Sequence, residues 1–142
     1  MLQLLAVMRK TFVLLGLLLM LVPSVASQSK QKPWLWGAWE GTGYQTDDAS
    51  TWPMKLTITR PKGRGRIFSI DYPSLNCGGR WKLLSLNQGK ARFREQLSYG
   101  KDKCANNGLV VVERISRGQI VFLFSYENSR EITASAVLKR KI

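Results

Sequence analysis

"MKLTITRPKGRGRIFSIDY", Met54 to Tyr72, is the stretch whose reading decides the fold. Its first limb alternates: Met54, Leu56 and Ile58 share one parity, and Lys55, Thr57 and Thr59 share the other. A period of two over such a run is the pattern of a half-buried strand. Its second limb alternates less strictly but places Phe68, Ile70 and Tyr72 on one face. Between the limbs, "RPKGRGR" supplies the glycine that tight turns need, because glycine reaches positive φ without a Cβ penalty. The unit is a β-hairpin.

The same grammar extends in both directions. "WGAWEGTGY" precedes it as a first strand. "NQGK" separates "RWKLLSL" from "ARFREQLS", "SRGQ" separates "LVVVERI" from "IVFLFSY", and "ENSRE" leads into "EITASAVLK". In "QIVFLFSYE" the heavier face carries Ile120, Phe122, Phe124 and Tyr126, and the last run carries Ile132, Ala134, Ala136 and Leu138. Eight short strands joined mostly by hairpin-length loops predict an all-β fold. An antiparallel, eight-stranded, up-and-down barrel is the expectation, since closure removes exposed sheet edges.

Upstream of the strands the chain has a different character. "MRKTFVLLGLLLMLVPSVASQ" carries a basic pair, Arg9 and Lys10, then an apolar run and small residues. That order is a secretory signal peptide, and the run is short for a membrane span. The expected division is a cleaved signal peptide over 1–27, a polar lead-in over 28–33 and a barrel domain over 34–142. The expected destination is the periplasm or the exterior. The apolar residues before Arg9 make Met8 the more usual place for translation to start.

The full sequence has 22 Lys and Arg against 9 acids and no histidine. Loss of Arg9 and Lys10 with the signal leaves a net charge of about +11, which attracts anionic partners. Such partners include an acidic protein, a polyanion or a membrane surface; an exported protein seldom meets nucleic acid. The lack of histidine removes the commonest general base and zinc ligand. No cofactor or metal is expected, and the chain is expected to be a monomer.

The two cysteines, Cys77 and Cys104, are read as a disulfide. An exported chain matures in an oxidising compartment, where paired cysteines oxidise. With Asn87 opposite Lys90 across "NQGK", opposed positions sum to about 177, so Cys77 lies level with residue 100 and near Cys104. A catalytic thiolate would need a base, and two cysteines are too few for structural zinc.

Two acids share parity with apolar neighbours. Glu95 goes with Ala91, Phe93 and Leu97, and Glu113 with Leu109, Val111 and Ile115. Paired inward carboxylates can perform acid–base work on a glycoside. The same register places Lys82 opposite Glu95, with Arg80 on that face, and an inward acid met by a base is structural. Arg60, Lys62, Arg64 and Arg66 cluster at one hairpin tip, where they can hold an anion or a protein partner. Trp34, Trp36, Trp39 and Trp52 cluster early, as residues that floor a barrel or line its mouth.

Gly37-x-Trp39 at the start of the first strand resembles the lipocalin/calycin barrels. There the Trp closes the barrel base, and a basic residue on the last strand covers it; Lys139 and Arg140 are the counterparts this resemblance implies. "YPSLNCGGRWKLL", "ARFREQLSYGKDKC" and "NNGLVVV" are similar to a group of small exported bacterial domains. That resemblance spans Tyr72 to Val112 and implies a lipocalin-like barrel with one disulfide and no defined activity. The function expected is non-enzymatic binding, of an amphiphilic ligand inside the barrel or an anionic partner outside it. The alternatives are an inhibitor or immunity-type protein and a hydrolase using Glu95 and Glu113.

Overall fold

The computed structural model describes residues 34–142; the expected signal peptide over 1–27 and the expected lead-in over 28–33 lie outside the described residues. Eight strands form one closed antiparallel barrel in sequence order. They are β1 (Gly37–Gln45), β2 (Thr51–Thr59), β3 (Ile67–Tyr72), β4 (Cys77–Leu86), β5 (Lys90–Tyr99), β6 (Leu109–Arg114), β7 (Gln119–Ser125) and β8 (Ala134–Arg140). One 3-10 turn, Pro73–Leu75, joins β3 to β4. β1 pairs with both β2 and β8, so no strand is left as an edge.

The alternating faces fall as the sequence predicts on most strands. Met54, Leu56, Ile58, Phe68, Ile70, Tyr72, Ala91, Phe93, Leu97, Ile120, Phe122, Phe124, Ala134, Ala136 and Leu138 are all buried. Tyr126 and Ile132 are exposed, because both lie just outside their strands. β6 departs from expectation. Its run "LVVV" is apolar on both faces and fixes no parity; pairing puts Val110 opposite Phe93 and Phe124, and Val112 opposite Ala91 and Phe122. Val110 and Val112 therefore point inward, and Glu113 points outward.

The β4–β5 ladder contains two register shifts. Asn87 donates to Lys90 O at 2.9 Å, so the turn is the expected one. Leu84 is then extra on β4, and Ser98 is extra on β5, so the middle of the ladder slips by one residue and recovers. The slip has a packing cause. Trp81 and Leu86 are an odd number of residues apart, and only an inserted residue lets both turn toward the interior. Cys77 and Cys104 form a disulfide with Cα atoms 6.3 Å apart. By the chain-entropy argument, closing that loop contributes about 3.5 kcal/mol. Gly100, at φ +64°, fits beside it because a Cβ there would lie 2.5 Å from Cys77 Cβ.

The two ends of the barrel differ. At one end Trp39 is fully buried and Arg140 lies over its ring, 4.2 Å from the centroid. Arg140 also donates to Trp36 O, to Trp34 O at 2.8 Å and to Arg117 O at 3.2 Å. The segment Trp34–Trp36 is thereby strapped across the base, and Trp34 Nε1 donates to Asn87 O at 2.7 Å. Gly37, at φ +101°, makes the bend from strap to strand. Above Trp39 the interior is filled by Phe68, Phe93, Trp81 and Phe122, with ring centroids 4.9–5.6 Å apart.

Candidate functional site

The other end of the barrel is open. A cavity of about 330 Å³ enters between the β1–β2, β5–β6 and β7–β8 loops. Its walls are aromatic: Trp52 from β2, Phe122 and Phe124 from β7, and Tyr126 just beyond it. Phe124 and Tyr126 meet edge to face, with centroids 5.7 Å apart. Ala134 of β8 leaves room where a larger side chain would fill it. Asp47, Asp48 and Lys103 stand exposed at the mouth, and the disulfide's Cys104 forms part of the rim. A concave apolar space with a few convergent polar groups is the form that ligand sites take.

The polar floor of this cavity is Glu95. It is 2% exposed, the one buried charged side chain among the described residues. The Tyr72 hydroxyl donates to its Oε1 at 2.5 Å, and Trp81 Nε1 donates to the same oxygen at 3.0 Å. Among the described residues no donor reaches Oε2. Fully enclosed atoms without a partner are Trp39 Nε1 and Thr133 Oγ1, and Oε2 is not one of them. Its open side is the cavity. Glu95's own backbone is fixed by the loop ahead of β6: its N–H donates to Gly108 O at 3.0 Å, and Asn107 N–H donates to its carbonyl at 3.1 Å.

Burial pushes the Glu95 carboxyl above the ordinary value of 4.5, and the hydrogen bonds from Tyr72 and Trp81 only partly oppose this. The Tyr72 hydroxyl is pushed well above 10.0, first by burial and then by the adjacent carboxylate. The pair therefore shares one proton donor and one acceptor in fixed roles: Tyr72 gives, Glu95 receives.

Three expectations need correcting. Lys82 does not meet Glu95, because the extra residue Leu84 moves Trp81 into that position; Lys82 faces Arg94 on the outside. Arg80 is likewise exposed. Glu113 is not an inward acid: it lies on the outer face and pairs with Lys90 at 2.6 Å. The two-carboxylate arrangement of a glycoside hydrolase does not form, since Glu95 and Glu113 stand on opposite sides of the barrel wall. Gly78 and Gly79 lie within β4, where a Cβ on Gly79 would come 2.2 Å from Gln96 O.

The remaining candidate residues lie at the closed end of the barrel. Trp39 closes the base under Arg140, while Lys139 is exposed. Arg60, Lys62, Arg64 and Arg66 occupy the β2–β3 connection at the closed end, away from the cavity; Arg60, Lys62 and Arg64 are exposed and Arg66 is half-buried. Among the described residues none of the four forms an ion pair. Tyr72, Trp81 and the mouth acids Asp47 and Asp48 went unassigned as site residues in the sequence. The inward parity of Tyr72 was legible, but its meeting with Glu95 depends on a register shift that no local pattern announces.

Among the described residues no three His, Cys, Asp or Glu side chains converge to hold a metal. No helix there is long and apolar enough to cross a membrane. No protein-family model matches the sequence, and no curated protein or solved structure is significantly similar to it.

Proposed function

We propose that this chain is an exported, non-enzymatic binding protein that holds a small amphiphilic molecule in the open end of its barrel. The observation that carries this reading is the aromatic cavity of about 330 Å³ that ends on a buried, half-satisfied carboxylate. A barrel meant only as a scaffold gains nothing from burying a charge beside empty space, because the desolvation cost goes unreturned. Export is supported by the apolar leader and by the Cys77–Cys104 disulfide, a bond that persists in oxidising compartments. The lipocalin-like reading is supported by Trp39 beneath Arg140. Binding without turnover is supported by Glu95 having no second buried carboxylate beside it among the described residues, since Glu113 stands outside and pairs with Lys90.

The test is a variant that fills the cavity without touching Glu95. Ala134→Trp places an indole in the space that Ala134 leaves open. A neutral apolar dye, N-phenyl-1-naphthylamine, should brighten on the native protein and bind at least about tenfold more weakly to a folded Ala134→Trp variant. Equal binding by the two proteins rejects the cavity as the site.

The β2–β3 connection favours a second binding face. Arg60, Lys62 and Arg64 are exposed, its bases form no ion pair among the described residues, and nothing lies within 4 Å of where a Cβ on Gly63 or Gly65 would stand. Such a tip suits an anionic partner, including an acidic protein that it inhibits.

A further inference from the structure

The chain as a whole is strongly basic, with 22 Lys and Arg against 9 acids. Its cavity reverses that balance. Asp47, Asp48 and Glu95 line it against a single base, Lys103. Lys103 forms no ion pair among the described residues and stands exposed, while Glu95 is buried. The neutral part of the lining includes five aromatic side chains, Trp52, Tyr72, Phe122, Phe124 and Tyr126, among small and polar residues.

These features favour one charge type. Aromatic rings present negative π-faces, which attract cations, most strongly when water is excluded. A buried carboxyl is relieved either by holding a proton or by a positive partner, and among the described residues no Lys or Arg side chain reaches it, which leaves that place to a ligand cation. A carboxylate or phosphate ligand would meet Glu95 as a like charge in a low-dielectric site, which is costly. A plain alcohol could hydrogen-bond to Oε2 but would leave the charge uncompensated.

We infer that the cavity selects organic ammonium ions, with the nitrogen cation beside Glu95 Oε2 among the aromatic rings and an apolar arm in the remaining space. This rests on the cavity-binding reading above. It goes further by naming the ligand's charge, and it separates the ligand's chemistry from that of the basic exterior.

The experiment uses four probes with one tail: hexyltrimethylammonium, hexylamine, hexanol and hexanoate. Binding to the full mature chain is followed by calorimetry and tryptophan fluorescence. Both ammonium probes should bind at least about tenfold more tightly than hexanol, and hexanoate should bind most weakly. In Glu95→Gln, the preference for ammonium over hexanol should fall to about twofold or less, because hydrogen-bonding shape is kept and charge is lost. The native-protein series stands even if that variant fails to fold. Hexanol or hexanoate binding as tightly as the cations overturns the charge inference and leaves the cavity reading intact. Failure of all four probes and of the dye overturns both. Ammonium binding that persists undiminished in folded Glu95→Gln places the cation elsewhere and also overturns the inference.

Discussion

A carboxylate between a tyrosine hydroxyl and an indole nitrogen carries an electrostatic cost that only its surroundings can offset. In Glu95 burial dominates, so its pKa in the folded protein lies above the unfolded value. The sign of the pH dependence follows. A raised carboxyl pKa contributes stability that is fully present below the unfolded pKa and is lost as pH rises through the folded pKa. Native protein should therefore lose stability relative to Glu95→Gln as pH climbs from the acid side of 4.5 toward neutrality. Each unit of difference corresponds to about 1.4 kcal/mol. Urea unfolding of both proteins across that range checks this; a difference that stays flat or grows with pH is incompatible with it. The inward parity of Glu95 is plain in the sequence, from Ala91, Phe93 and Leu97 on the same face. Its partners are not, because an acid's neighbours are set by a ladder register several residues away.

At the scale of the element, the β4–β5 ladder explains both what the sequence reveals and what it hides. Counting from the Asn87–Lys90 turn gives the right pairing at both ends: Leu86 with Ala91, and Gly78 with Tyr99. It is therefore right about the cysteines. Between Leu84 and Ser98 it is wrong by one, and there Trp81 replaces Lys82 opposite Glu95. β6 failed for a different reason: four consecutive apolar residues carry no period. The ladder's tightness is testable at Gly79. A Cβ there would lie 2.2 Å from Gln96 O and 2.6 Å from Leu97 Cα, both backbone atoms that cannot swing aside. Gly79→Ala should cost about 1–3 kcal/mol, as overpacking does. Gly89→Ala, where a Cβ meets nothing within 4 Å, should stay within about 0.5 kcal/mol. Equal costs in denaturant titrations would show that the close approach is not a constraint.

For the whole molecule, charge is organised by place. The barrel wall and the closed end are basic, and the mouth is acidic. On the wall Lys82 stands directly opposite Arg94, an arrangement that disfavours the sheet on its own. Arg94 is compensated by Glu127 at 2.5 Å, and Lys82 is not compensated within the described residues. An anion held at the β2–β3 tip should lose affinity steeply between low and physiological salt, since exposed charges are screened beyond about 8–10 Å. Retention on a heparin column should fall when Arg64 and Arg66 are replaced by glutamate, while dye binding at the mouth is unchanged. Retention that ignores those two substitutions would move the anion site to the wall.

The strap at the base has a consequence for how the barrel is presented. Arg140, near the end of the last strand, grips the carbonyls of Trp34 and Trp36, just ahead of the first. The start of β1 and the end of β8 thus share one pole, opposite the mouth. A tether joined directly ahead of Trp34 or after Arg140 would start from that pole, away from the opening. The barrel is built like a cup held by its foot, and a change at Trp34–Trp36 or at Arg140 acts on the handle and spares the rim.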